Sequence, residues 1–245
     1  MSRAFLGQLL FALTTVIFVG SASATADLPA PKPATDAAGF VTYWIGLEHI
    51  DITVDEAGGK GLDKGYVPGE AALTPVAGEK LTVAGTPHTW KLVSCVDGNP
   101  KLDCDDIDGV TIHALSYVVA YVVLEKDEPA ATIQWSADDG AAVFVNGKEV
   151  ARSPKKVDNQ LAKGVALKKG VNVIMFKLLN VFGGYDLSCR LVDSNDHVMA
   201  NVPQAAAPAG KPAPANVHWL PANTKSQPVD GSFSKYFEAQ MEKKK

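Results

Sequence analysis

The sequence lacks the short motifs that mark common enzyme classes. Its 245 residues contain no Gly-x-Ser-x-Gly elbow, no His-Glu-x-x-His and no Gly-rich phosphate loop, so nothing nominates a nucleophile, a catalytic zinc or a phosphate cradle. The histidines (His49, His88, His113, His197 and His218) are scattered and never fall two at ligand spacing. Ser153 to Lys156 meets a Ser-x-x-Lys spacing, but the companion motifs that give it meaning are missing. A basic stripe is missing too. Net charge is −4, with the charges interspersed, which leaves no track for a nucleic-acid backbone. Beyond the first twenty residues no apolar run is long enough to span a bilayer, and helical periodicity is almost absent.

What is present begins with Arg3 ahead of the apolar run Leu9 to Val19 and the small residues "GSASATA". That is a charged, then apolar, then small-residue order, the pattern of an export leader. Residues 1–26 are read as a signal peptide cut after Ala26, with Ala24 as second choice and an uncleaved anchor as the other reading. No cysteine follows the run closely, which argues against a lipid anchor. The mature protein is expected to be secreted or periplasmic, with no transmembrane segment.

Residues 27–38 are Pro- and Ala-rich and read as a linker. Residues 203–216, "PQAAAPAGKPAPAN", have the same character. In the tail, residues 217–245, Phe233, Tyr236, Phe237 and Met241 have helical spacing, which fits either a short amphipathic helix from about Ser232 or a frayed end.

Between the linkers, residues 39–202 alternate with period two. "LSYVVAYVVLE" (Leu115 to Glu125) is rich in Val and Tyr, as a pleated, half-buried strand prefers. "AAVFVNGKEV" sends Val143 and Val145 one way and Phe144 the other, and its Asn146-Gly147 step is a strong hairpin signal. Two further strands flank the turn at Lys168 to Gly170. Short strands with frequent turns predict an all-β, antiparallel sandwich.

Cys95 and Cys104 bracket the acidic stretch "CVDGNPKLDCDDIDG". In an exported chain the simplest expectation is a Cys95–Cys104 disulfide with Cys189 a buried thiol. The acidic stretch lacks the order and the final glutamate of an EF-hand and reads as a solvated loop.

"SADDGAAVFVNGKEV", followed by "VALKKGVNVIMFKLLNVFGGYDLSCRLVD", resembles galactose-binding-like jelly-roll sandwiches of secreted bacterial proteins. The likeness is densest from Ser136 to Asn180, and "YWIGL" and "HTWKLV" are similar to earlier strands of that family. It implies a non-catalytic module that binds carbohydrate or has a structural role. The related PA14 lectins share the Asp-Asp-Gly turn. That resemblance implies Asp138 and Asp139 as calcium ligands, with Asn146 beside them. The competing reading is that the aspartates only bond backbone amides of the turn.

A sugar site also needs aromatic faces, for which Trp135 and Tyr185 are the candidates; Trp44 and Trp90 read as core. Adjacent aspartates on a strand point to opposite faces, which does not suit a glycosidase acid pair. The leading expectation is an exported glycan-binding module. The alternative is a structural or assembly subunit of a cell-envelope complex that uses the sandwich and the tail as interaction surfaces.

Overall fold

The alternating strings become strands in the computed structural model, which describes residues 34–95 and 98–212. The expected leader, most of the first linker, the end of the second and the tail with its Ser232 helix lie outside the described residues. In chain order the strands are β1 (Tyr43–Leu47), β2 (Ile50–Asp51), β3 (Lys80–Val83), β4 (Thr86–Ser94), β5 (Leu102–Asp103), β6 (Ala114–Leu124) and β7 (Glu128–Ala137). They continue as β8 (Gly140–Val145), β9 (Lys148–Ser153), β10 (Val157–Leu167), β11 (Gly170–Asn180), β12 (Asp186–Val192) and β13 (Gln204–Ala205). Two single-turn helices, α1 (Val54–Ala57) and α2 (Asp105–Asp108), interrupt them.

The larger sheet runs β3-β4-β1-β6-β11-β8-β9, with β2 and β13 also paired to β6; the smaller runs β10-β7-β12-β5. The ladders between these strands are antiparallel, as in the central β6–β11 and β7–β12 pairs. The chain is an all-β antiparallel sandwich.

Period-two alternation decides what fills it. From the large sheet, Val118, Val122, Val143, Ile174 and Phe176 meet Ile133, Trp135, Leu187 and Leu191 of the small one. Phe176 is the centre of this layer, with Trp44 and Trp135 edge-on to it at 5.8 and 6.0 Å between ring centroids. The opposite face of the large sheet carries Tyr117, Tyr121, Phe144 and Met175. The sequence suggests a half-buried β6, but both of its faces are covered. Ile52, Ala57, Leu62 and Val67 pack on the outer one. This covering segment turns at α1, where Thr53 and Glu56 form a reciprocal capping box.

The turn chemistry agrees with the backbone. Asn146 and Gly147 both have positive φ, 50° and 82°, as a two-residue hairpin turn demands. The Lys168–Gly170 turn carries the chain from β10 in the small sheet to β11 in the large one, so it joins layers rather than making a hairpin.

Two findings depart from expectation. The Cys95–Cys104 disulfide is not formed: all three cysteines are free thiols. Cys104 is fully buried in the inter-sheet core as a small apolar side chain, while the Cys95 thiol donates toward the carbonyls of Val41 and Pro100. Cys189 is a buried free thiol, as its strand position suggests.

The linker segments also reach into the sandwich. Ala34 bridges Pro203, and the Gln204 side chain accepts from the Thr42 N–H and donates to the Tyr43 carbonyl. Pro203 accepts from the Val123 N–H. Pro and Ala content signalled a spacer, but Gln204 supplies what unpaired backbone groups of the sheet need. Among the described residues no helix is long and apolar enough to cross a membrane.

Candidate functional site

Asp138 and Asp139 lie between β7 and β8, where the chain passes from the small sheet to the large. The Asp138 N–H donates to the Asp186 carbonyl and the Asp139 N–H to that of Leu179, both at 3.0 Å. Their carboxylates are engaged too. Asp138 Oδ2 receives Lys156 Nζ at 2.6 Å, and Asp139 Oδ2 accepts the Val181 N–H at 2.6 Å. Burial, and then the neighbouring Asp138 charge, raise the Asp139 carboxyl above the usual range, opposed by the Val181 bond.

Gly140 completes the motif for a steric reason. A Cβ there would sit 3.0 Å from the Pro154 backbone, so only glycine admits the returning chain. Two carboxylates already held by an ammonium and a backbone amide do not fit a calcium ion, which needs about six to eight oxygens. Among the described residues no three His, Cys, Asp or Glu side chains converge to hold a metal.

The two aromatic candidates are placed away from solvent. Trp135 and Tyr185 are each 2% exposed. Trp135 packs on Phe176, and the Tyr185 hydroxyl donates to the Leu178 carbonyl at 3.3 Å. Neither presents a face on which a pyranose could stack. Their residue types matched a platform, but their strand phase points them inward.

Asn146 is placed at an opening. Its Nδ2 donates to Asn172 Oδ1 and its Oδ1 accepts the Val173 N–H, both at 2.9 Å. Asn172, fully buried, also accepts the Lys168 N–H and donates to the Lys168 and Gly170 carbonyls. The asparagine pair thus locks the Asn-Gly and Lys-Lys-Gly turns together at one end of an open cleft of about 450 Å³.

The cleft runs between β9, the last strand of the large sheet, and β10, the outer strand of the small one. Both carry register shifts: β9 has an extra residue opposite the Val143–Phe144 step, and β10 another between Ala162 and Val165. Gly164, with φ +73°, supplies the left-handed residue of the second bulge. Such bulges twist edge strands and re-aim side chains.

The cleft's floor is Val145, Val150 and Val165, and its walls carry Lys148, Lys163 and Lys168. Its one carboxylate, Glu149, is held by a two-pronged ion pair from Arg152 at 2.5 and 2.7 Å. Lys168 lies 4.0 Å from Asp127; Lys148 and Lys163 have no carboxylate partner among the described residues. None of the lining residues is aromatic. These lysines escaped the sequence reading because their juxtaposition is between sheets, and no spacing along one strand encodes it. The one local signal was a glycine, Gly164, inside the alternating β10 segment.

A second cluster missed in the sequence is buried. Lys177, fully enclosed on β11, points to the outer face. Its ammonium donates to the carbonyls of Leu62 (3.5 Å) and Lys64 (2.5 Å) and to both Glu70 oxygens (3.0 and 3.2 Å). The Tyr117 hydroxyl donates to Glu70 at 2.6 Å. Burial lowers the Lys177 ammonium below its ordinary range against the opposing pull of Glu70. With its protons all committed, this group clamps residues 62–70 to the sheet and leaves no free base. A single lysine in "VIMFKLLNV" was the available signal.

No protein-family profile and no curated protein matches the chain. Solved structures overlap it in part. An anti-sigma factor domain-containing protein from Clostridium clariflavum is 16% identical over 43% of this chain and 36% of its own, with a TM-score of 0.31. A β-glucuronidase from Ruminococcus gnavus is 14% identical over 58% and 21%, with a TM-score of 0.32. One from an uncultured Clostridium species is 10% identical over 61% and 28%, with a TM-score of 0.34. The chain spans about a third or less of these proteins, and overlaps of this quality carry no argument about binding or activity.

Proposed function

We propose that the chain is an exported, non-catalytic β-sandwich module of the galactose-binding-like kind, and that it binds carbohydrate in the β9–β10 cleft. The observation that carries this reading is the cleft itself, about 450 Å³, within the range of small-ligand sites. Its ammonium donors suit the hydroxyl and carboxylate oxygens of a saccharide. The Asp-Asp-Gly turn supports the reading only as scaffold, since its carboxylates are occupied by Lys156 and Val181.

Isothermal titration of the purified chain with a panel of neutral and acidic oligosaccharides tests it. Binding that is lost when Ala166→Trp, at an exposed lining position, fills the cleft, with the melting transition retained, is the expected result. Absence of binding to the whole panel overturns it. The second reading, a structural subunit of an envelope assembly, is favoured by Phe182, which is 60% exposed on the loop after β11. It would then stand.

A further inference from the structure

The charge of the cleft goes further than its shape. We infer that its ligand is an anionic saccharide, a chain bearing carboxylates, held by Lys148, Lys163 and Lys168. This rests on the carbohydrate reading above and narrows it.

Three ammonium groups line one opening of a chain whose formal net charge is −4. Local charge of the opposite sign to the whole molecule is not a by-product of composition. The single carboxylate in the lining cannot neutralise them, because Arg152 already holds Glu149 through both oxygens. Lys148 and Lys163, on opposite walls, keep their charge for a ligand. Unpaired lysines on a shared concave surface reinforce one another's attraction for an anion.

The absence of aromatic residues from the lining decides between ligand classes. A neutral sugar is usually gripped by stacking on an aromatic face, and the valine floor offers no such plane. Ionic contacts must then supply the specificity. Single-stranded nucleic acid is disfavoured for the same reason: its bases need stacking platforms along a basic track several nucleotides long. An acidic saccharide needs neither. Its hydroxyls remain free for the second Nδ2 proton of Asn146, whose side chain the Asn172 bond holds in place.

The test uses the full chain with oligogalacturonate, its methyl-esterified neutral counterpart and single-stranded oligothymidylate, titrated at low and high salt. The expected result is that the free acid binds at least about tenfold more tightly than the ester, and that salt weakens it. Lys148→Gln with Lys163→Gln should lose most of that preference. Lys60→Gln with Lys80→Gln, which removes the same charge elsewhere, should keep it.

Equal binding of acid and ester would overturn the anionic inference while sparing the carbohydrate reading; no binding of either would overturn both. Oligothymidylate binding as tightly as the acid, or equal loss in the two lysine pairs, would reduce the cleft to a general polyanion contact and overturn the inference.

Discussion

Glu70→Ala should destabilise the sandwich by about 3 kcal/mol. The side chain removed accepts from Lys177 at 3.0 and 3.2 Å and from Tyr117 at 2.6 Å. What remains around a fully enclosed ammonium is two backbone carbonyls. Removing one partner of a buried ion pair costs about 3–5 kcal/mol, because the other charge stays desolvated. Glu70 is 19% exposed, so water can enter part of the space and the lower end of that range applies.

Urea unfolding at pH 7 measures the effect as a fall in midpoint at unchanged slope. Adding Lys177→Met to Glu70→Ala should recover at least half of the loss, since the orphaned charge is then gone. The pH dependence follows from direction. A lysine lowered by burial binds fewer protons folded than unfolded in the window just below its unfolded value, so stability rises with pH there. Losing Glu70 lowers Lys177 further, and the deficit should therefore shrink from pH 7 to about 9.5. Above that, Tyr117, which burial and Glu70 raise, opposes the trend. A loss below about 1 kcal/mol, or a deficit flat with pH, would show that the ammonium reaches water and would refute the reasoning.

Three free thiols per chain should be counted after denaturation without reductant, and native labelling at pH 8 should be slow, because burial pushes the Cys95 thiol up to about 12. Burial, and then Asp103, raise Asp105 to about 7, so its contribution is present below about pH 4 and lost as pH climbs through 7. Asp105→Asn should flatten that slope by roughly 1–2 kcal/mol after allowance for partial exposure, and an unchanged pH profile of the melt counts against it. Asp139→Ala should cost about 1–3 kcal/mol by stranding the Val181 N–H, while millimolar calcium leaves the parent's Tm unmoved; a calcium-induced rise would reverse the fit argument. Ending the chain at Val202 should lower stability by about 2–4 kcal/mol through the lost Pro203 and Gln204 bonds, whereas ending it at Pro212 should spare those bonds, and equal melts for the two would refute the role of β13.

Alternation was legible wherever one residue in two had a fixed destination. Val143, Val145 and Phe144 take the opposite sides their spacing assigns them, and Asn146-Gly147 turns as its φ requirement dictates. Depth was not legible. The period is the same whether an outer face meets water or a second layer, so the cover formed by Ile52, Ala57, Leu62 and Val67 was invisible: those residues carry no regular period of their own. The same ambiguity misplaced Trp135 and Tyr185 as platforms and Cys104 as half of a bridge. The cleft was beyond reach for a topological reason. Lys148 and Lys163 sit on edge strands of different sheets, and only the docking of those sheets makes them neighbours.

The segments that carry the family likeness turn out to be fasteners. Asp138 ties the β9–β10 crossover through Lys156, and Asp139 ties the loop after β11 through Val181. Gly140 lets Pro154 close in, and Asn146 with Asn172 joins two turns. Each residue is constrained by backbone it must hold, so the same residues suit any sandwich with these crossovers, whatever it binds. Ligand choice has to come from side chains the scaffold leaves free. In this chain those include the ammonium groups of Lys148 and Lys163, which line the cleft and have no carboxylate partner among the described residues. The Asp-Asp-Gly and Asn-Gly steps of this chain are therefore matters of construction, and neither carries information about a ligand.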